Sequence, residues 1–427
     1  MREEAPAVFT STSGMPANRE SSTINPRDFP VGDGLNPSSV PLGLIILKVA
    51  SRCNLNCTYC YVYNKGDSSW MQRSRIMSDE TFNVTLERIR QHCQSSGQKS
   101  ITLAFHGGEP CLIGVKRFDQ WCQRLTSALE GISTVTFLIQ TNGTEINEAW
   151  AEAFLKHGVR VGVSVDGPEE IHDRFRLDHF GRGSYISVTK GITVLRKLGV
   201  PFGILSVVQL GADPIAIHRH ILNLGCSSVN YLMPDFTHET IALVRQRYGP
   251  TPCADFLIPI FDDWWFNGTM DTKISNFWNM ARVIMGGESE LENIGNRPAG
   301  YAFVETDGDI EGLDVLRVCD EGLAKTGLNV RDAAFSEIAR ASVLHRQAIF
   351  DGMALPRDCE TCGERDTCGG GYLPHRYSRS RGFDNPSVWC SDLLKLFALI
   401  RQRLGITVQA TQLRRQALTK WPTGRRI

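Results

Sequence analysis

Three cysteines stand in one short run, Cys53-Asn-Leu-Asn-Cys57-Thr-Tyr-Cys60. Structural zinc modules usually offer four ligands in paired C-x2-C spacing. Three thiolates in one loop instead suit a [4Fe–4S] cube with one iron left without a protein ligand. A small molecule can chelate that open iron. A second group, Cys359-Glu-Thr-Cys362-Gly-Glu-Arg-Asp-Thr-Cys368 with Cys390 beyond it, supplies four thiols. Its residues alone fit zinc or a closed [4Fe–4S] cube equally. A third feature is His106-Gly107-Gly108-Glu109-Pro110. Its two glycines let backbone approach a ligand closely, and Glu109 could pair with an ammonium group.

The sequence holds 13 cysteines in 427 residues, an odd number that excludes complete disulfide pairing. Its first twenty residues carry early acids and no apolar h-region, so they do not form a secretory signal. The strongest apolar run, Leu42 to Ala50, contains Lys48 and falls short of the ~18 residues of a membrane span. A cytoplasmic chain with reduced thiols is expected, its clustered cysteines serving metal or redox chemistry. Lys+Arg and Asp+Glu are equal at 46 each, which argues against a chain built to bind nucleic acid. Cys93, Cys111, Cys122, Cys226 and Cys253 stand singly and read as small buried hydrophobes.

These residues need elements to position them. From Leu44 onward the sequence alternates short β-branched runs with helical patterns. Strand candidates are Leu44–Val49, Ser100–Phe105, Thr134–Gln140, Arg160–Val165, Phe202–Gln209 and Ser228–Met233. Helical stretches separate them, which indicates βαβ units and a parallel sheet. The cysteine loop, the Gly-Gly-Glu-Pro run, Thr141-Asn142-Gly143 and Asp166-Gly167-Pro168 all follow strands. In parallel α/β folds the C-terminal strand ends carry the site. Residues 1–40 read as a flexible lead-in, 41–250 as the α/β core and 251–300 as a helical linker with an aromatic cluster. Residues 301–395 form a smaller cysteine-rich region opening on an Asp307-Gly308 hairpin turn. Residues 396–427 form a basic tail, expected to be solvated helix and frayed end.

The C-x3-C-x2-C loop and the Gly-Gly-Glu-Pro motif one βα unit later resemble the radical SAM superfamily. The resemblance implies a partial (β/α)6 TIM barrel, a SAM-binding [4Fe–4S] cluster on Cys53, Cys57 and Cys60, and S-adenosyl-L-methionine on its open iron. Tyr59, Gly107, Gly108, Glu109 and Pro110 then belong to the cofactor site. Ser164 and Asp166 are placed to meet ribose hydroxyls, and Asn142 and Gln209 are further candidates. The second cysteine group resembles the C-terminal SPASM/twitch-like iron–sulfur extension of peptide-modifying members. That implies one auxiliary [4Fe–4S] cluster on Cys359, Cys362, Cys368 and Cys390. A full extension holds two auxiliary clusters, but here Leu313 and Tyr372 occupy cysteine positions of the other and Cys319 remains alone. Two clusters in total are expected.

Longer stretches, including Met233–His238, Glu305–Gly308 and Gly382–Cys390, resemble peptide maturases of the FxsB, XyeB and GrrM kind, many of which form cyclophanes. The implied reaction takes a hydrogen atom from a β-carbon of a precursor peptide and joins that carbon to an aromatic ring. Other peptide modifications are the alternative: Cys or Ser oxidation to formylglycine as in sulfatase maturation, thioether formation or epimerisation. A non-enzymatic zinc-stabilised binding module is the remaining one. Asp314 is the candidate base, because it follows the lost cysteine position where sulfatase-maturing relatives carry their catalytic Asp. Asp235 and Asp320 are weaker candidates, and Asp173, Arg174 and Arg176 are candidates for holding substrate or cofactor. An electron donor such as flavodoxin or ferredoxin is implied, with no nucleic acid or membrane partner.

Overall fold

The computed structural model describes residues 41–268 and 272–420, with side chains to residue 417. The expected flexible lead-in lies outside them, as do Arg425 and Arg426 of the basic tail. Strands β1 (Leu44–Ala50), β2 (Ser100–Gly107), β3 (Thr134–Thr141), β4 (Arg160–Ser164), β5 (Phe202–Val207) and β6 (Ser228–Leu232) lie side by side in chain order. All are parallel. Their connections carry α1 (Asp79–Ser96), α2 (Val115–Leu129), α3 (Glu148–His157), α4 (Glu169–His172), α5 (Tyr185–Lys197) and α6 (Pro214–Asn223). This is the expected partial barrel. β1 is buried along most of its length, because helices cover a parallel sheet.

Local chemistry sets the helix ends. Ser78 caps α1 by accepting from the Thr81 amide, Asp79 and Glu80 sit in its positive first turn, and Gly97 at φ 65° ends it. Asp213 caps α6 by accepting from the Ile215 and Ala216 amides, with Pro214 at the first helical position.

After β6 come α7 (Ala242–Tyr248), α8 (Pro252–Asn267), β7 (Lys273–Ile274) and α9 (Ser275–Ile284). The chain then returns across the barrel. β8 (Tyr301–Val304) pairs parallel with the free edge of β1, from Leu44↔Tyr301 to Leu47↔Val304. β9 (Asp309–Glu311) and β10 (Lys325–Asn329) follow antiparallel, giving the order β10-β9-β8-β1-β2-β3-β4-β5-β6-β7. The Asp307-Gly308 hairpin turn is present, with Gly308 at φ 91°. The cysteine-rich region thus opens by extending the barrel sheet. An uncovered β1 would be an edge strand with unpaired backbone groups.

Short helices α10 (Ile338–Ala341), α11 (Val343–Arg346) and α12 (Arg365–Cys368) lead to α13 (Cys390–Leu404) and α14 (Val408–Lys420). The expected linker is packed in place. Asp392 of α13 caps α8, accepting from the Cys253 amide at 2.7 Å and the Ala254 amide at 3.0 Å. Phe261, Trp264 and Phe277 join the main core, as aromatics usually do. Basic side chains at and before the C-terminal segment form ion pairs, at the surface for Lys395 and Arg403 and buried for Arg401, which departs from a solvated face. Lys395 meets Asp255 at 2.5 Å, Arg401 meets Glu364 at 2.6 Å and Arg403 meets Asp262 at 2.9 Å. The five lone cysteines are buried. Among the described residues no helix is long and apolar enough to cross a membrane.

Candidate active site

The strand ends open on a cavity of about 1760 Å³. Cys53, Cys57 and Cys60 line it together, carried by the loop that leaves β1. An arm from the β4 exit holds that loop. The Asn56 amide donates to Leu177 O at 2.7 Å, the Thr58 amide to Phe175 O at 2.9 Å, and His179 Nε2 meets Cys53 O at 2.9 Å. Arg174 also reaches the cavity wall, whereas Asp173 accepts from the Ser184 and Tyr185 amides, both at 2.9 Å, and closes the arm on itself.

Gly107 and Gly108 make the β2 exit fit against this loop. A Cβ on Gly107 would lie 2.1 Å from Ala50 O, and one on Gly108 would lie 2.4 Å from Arg52 O and 2.0 Å from the Tyr63 hydroxyl. The close approach expected of these glycines is therefore first an approach to protein backbone. The Gly108 amide donates to Ala50 O at 2.7 Å and the Glu109 amide to Arg52 O at 3.2 Å.

Several predicted residues sit elsewhere than the sequence suggested. The Glu109 carboxylate is fully buried and faces the β3 exit. It accepts from the Cys111 amide at 3.0 Å, the Thr141 hydroxyl at 2.7 Å and the Asn142 amide at 2.7 Å. It clasps the β2 and β3 exits together. Pro110 is buried at the first position of a short 3-10 turn and does not line the cavity. Asp166 is also fully buried. Its carboxylate accepts from Tyr59 OH, from Arg176 Nε at 3.0 Å and from the Val207 amide at 3.0 Å, and so anchors the cavity wall. Tyr59 does line the cavity, with the Arg176 guanidinium 5.5 Å from its ring centroid.

Asn142, Ser164 and Gln209 face the cavity as expected. Asn142 Nδ2 donates to Asn54 Oδ1 at 2.8 Å and points at Cys53 Sγ at 3.7 Å. Ser164 accepts from Gln140 at 3.1 Å, and Gln209 donates to Val207 O at 2.9 Å. His106 Nδ1 and Asn230 Oδ1, both in the wall, have no partner among the described residues. Buried polar atoms without partners mark places a ligand can satisfy. The thiols fit a cluster chemically. Burial, opposed by Arg176, raises Cys57 to about 11, and burial pushes Cys53 and Cys60 up as well. Only a cationic centre makes thiolates of such groups favourable. The residues present therefore fit an iron–sulfur cluster with S-adenosylmethionine beside it.

Asp314 enters the cavity on the turn after β9. It is buried, with Lys48 Nζ at 2.7 Å and the Tyr61 hydroxyl donating to it at 2.7 Å. Burial pushes this carboxyl up, but Lys48 and the Tyr61 hydrogen bond outweigh it and hold Asp314 below the usual carboxylate range. Lys48 also meets Glu305 at 3.2 Å. In the sequence Lys48 stands out only as a charge in an apolar strand. That oddity is the signal, because a buried lysine demands a carboxylate. Asp235 lines the cavity beside His375, at 3.2 Å, while Asp320 does not line it.

Cys359, Cys362, Cys368 and Cys390 surround one small separate cavity. The Glu364 amide approaches Cys362 Sγ at 3.4 Å, and burial raises Cys368 to about 12. Among the described residues no three His, Cys, Asp or Glu side chains converge on a single ion position. A cube takes one thiolate at each iron, so its ligands need not converge as four zinc ligands do. Leu313, Tyr372 and Cys319, at the positions of the lost cluster, join one apolar group with Val315, Leu316, Ala324, Ala348 and Leu373. Side-chain packing fills that space.

Comparison with known proteins agrees with this geometry. Residues 47–222 match the family model of the radical SAM superfamily. The cysteine-type anaerobic sulfatase-maturating enzyme of Clostridium novyi is 27% identical over 369 residues, 83% of this chain and 94% of that one. The serine-type enzyme of Bacteroides thetaiotaomicron is 24% identical, covering 81% and 85%. A Synechocystis protein of uncharacterized function is 30% identical over 362 residues, covering 81% and 87%. In three dimensions, native anSMEcpe with bound AdoMet is similar at a TM-score of 0.72 and 24% identity, over 87% of this chain and all of that one. Streptococcus suis SuiB bound to its precursor peptide SuiA is similar at 0.53 and 14% identity, covering 82% and 76%. With its barrel, its three-cysteine loop and relatives along most of its length, this chain belongs to the radical SAM superfamily and is an enzyme.

Proposed function

We propose that this enzyme oxidises the β-carbon of a side chain in a peptide substrate. Cys53, Cys57 and Cys60 would hold the cluster that, with S-adenosylmethionine, would supply the hydrogen-abstracting radical, and Cys359, Cys362, Cys368 and Cys390 would hold a second cluster able to take up an electron. The observation that carries the reading is one cavity lined both by the cluster loop and by Asp314, which Lys48 pairs from behind the wall. Ligand pockets usually span ~300–1,000 Å³, so about 1760 Å³ leaves room for a peptide segment beside the cofactor.

The chain's own residues have defined tasks. Tyr59 and Ser164 line the cofactor side, and Asn142 orients Cys53. Asp314 presents a fixed negative charge on the other side. A substrate carbon that loses an electron there becomes cationic, and a preorganised anion favours that change. Asp314 is also the first group able to accept the proton released. Walls such as Leu205, Leu257, Phe236 and Met280 keep bulk water from the reacting carbon.

The named relatives support oxidation of Cys or Ser over the aromatic cross-link expected from the motifs. Solved relatives bind peptides: one anSMEcpe structure holds the Cp18Cys peptide and the SuiB structure its precursor. A one-electron reductant of the flavodoxin or ferredoxin kind is the donor such a cluster calls for. The test is anaerobic incubation of cluster-loaded enzyme with S-adenosylmethionine, reductant and candidate peptides. A hydrazine-reactive aldehyde at Cys or Ser is expected. Loss of two hydrogens without an aldehyde identifies the cross-link instead, and no 5′-deoxyadenosine with any peptide refutes both.

A further inference from the structure

The cavity holds a carboxylate that the reaction above does not use. Glu292, in the loop between α9 and β8, lines the wall with Tyr301 and Tyr372. Both tyrosine hydroxyls donate to it. Tyr372 stands four residues after Cys368, so a residue that replaces a lost cysteine has become a hydrogen-bond donor to a carboxylate. Its ring lies edge-on to His375 at 5.1 Å, and His375 meets Asp235.

The two charged groups that act on Glu292 share its sign, and each has its own partner. Asp314, on the turn after β9, is paired with Lys48, and Asp235, after β6, is paired with His375. On its own loop, Arg297 meets Glu288 at 3.4 Å and Glu290 meets Arg282 at 2.5 Å. Among the described residues no cation forms an ion pair with Glu292. Burial pushes it up to about 7, with Asp314 and Asp235 adding to the rise and the Tyr372 hydrogen bond opposing it. Two carboxylates in one cavity thus differ in kind, since Lys48 holds Asp314 ionised whereas Glu292 is suited to gain and lose a proton near neutrality.

This inference rests on the reaction proposed above. A proton that reaches Asp314 must leave again before the next turnover, and Lys48 favours its departure. We propose that Glu292, held between Tyr301 and Tyr372, takes over the substrate's proton from Asp314 and returns it to solvent. The step moves one proton between two carboxylates and leaves the electron count unchanged. Glu292 is then the residue that sets the pH dependence of product formation.

Two readouts on the cluster-loaded enzyme test this. Infrared titration of the protein without substrate should show a carboxyl band with a midpoint near 7 that is absent in Glu292→Gln. Tyr372→Phe should move the midpoint upward, because it removes a hydrogen bond to the anion. In turnover, Glu292→Gln should form 5′-deoxyadenosine in a single turnover as wild type does, yet yield product about a hundredfold more slowly. Glu292→Asp should recover part of the loss, and unchanged iron content would show that the variants fold. A Glu292 ionised throughout the neutral range, or a Glu292→Gln variant with the wild-type rate and pH profile, overturns the relay. Wild-type enzyme that makes no 5′-deoxyadenosine overturns the radical reading and the relay with it, whereas the failures named before leave the radical reading standing.

Discussion

Replacing Arg317 by Met tests how the site is held in place. Lys48, Arg73 and Arg317 are three buried cations that face four buried carboxylates, Asp67, Glu305, Glu311 and Asp314. Arg317 donates to Asp67 at 2.9 Å and Glu305 at 3.0 Å, and also to Glu311 and the Ser69 hydroxyl. Without it, Glu311 keeps Arg73 at 2.6 Å and Glu305 keeps Lys48 at 3.2 Å. Asp67 is left with the Ser69 amide at 2.9 Å, the Ser69 hydroxyl at 2.5 Å and the Gly322 amide at 3.1 Å. Removing one partner from a buried ion network costs about 3–5 kcal/mol, because a desolvated charge remains. Unfolding entropy of ~2.1 cal/mol/K per residue over 427 residues converts this to a fall in Tm of about 3–6 °C.

The sign of the pH dependence follows from Glu311. Burial and the neighbouring Glu305 push it up to about 7 even with Arg317 present. A carboxyl that binds its proton more tightly folded than unfolded loses stability as pH rises. Loss of Arg317 strengthens that rise, so the defect of Arg317→Met should be largest near pH 8 and shrink toward pH 5.5. Anaerobic calorimetry of the cluster-loaded protein at both pH values measures it. A loss below about 1 kcal/mol, or a defect that grows on acidification, would refute the reasoning.

Three further outcomes are expected. Gly108→Ala brings a Cβ within 2.4 Å of Arg52 O, so it should displace the cysteine loop and cut iron bound at the first cluster, read by iron analysis and S-adenosylmethionine binding. Cys390→Ser should lower iron by about four per chain without abolishing 5′-deoxyadenosine formation, since the four-cysteine cavity is separate from the reaction cavity. Asp166→Asn weakens the anchor shared by Tyr59, Arg176 and the Val207 amide, so S-adenosylmethionine binding should weaken while the iron content holds.

The parts legible in the sequence were those encoded by contiguous residues. The cysteine loop, the glycine pair and the strand–helix alternation each occupy one short stretch, and the strands β1 to β6 lie where the apolar runs end in polar turns. Carboxylates were harder to read. Glu109 and Asp166 stand at strand exits, but a side chain there can turn to a neighbouring exit as readily as to a ligand, and both did. Lys48 and Asp314 meet only because β8 and β9 extend the sheet on the free side of β1, a pairing that no local pattern announces. Glu292 lies in a loop without periodicity, and its surroundings come from β8 and from the turn after α12.

The filled third cluster position gives one more prediction, because it decides whether that cluster was lost through its ligands alone. If ligands were the whole cause, Leu313→Cys with Tyr372→Cys would join Cys319 to offer three thiols and recover a cube. The packing argues otherwise. Leu313 and Leu316 are buried in one apolar group with Ala324 and Ala348, which also carries Tyr372 and Cys319 at its margin. A cube needs space and N–H donors aimed at its sulfurs, whereas this packing presents methyl groups. The double variant should therefore bind no additional iron. It should also lose roughly 2–5 kcal/mol of stability, because large buried side chains are cut back without a cluster to fill the gap. It would moreover remove the phenol from Glu292 and move the pH profile of product formation. A gain of about four irons per chain would show that ligand loss was sufficient and that the apolar packing yields to a cluster.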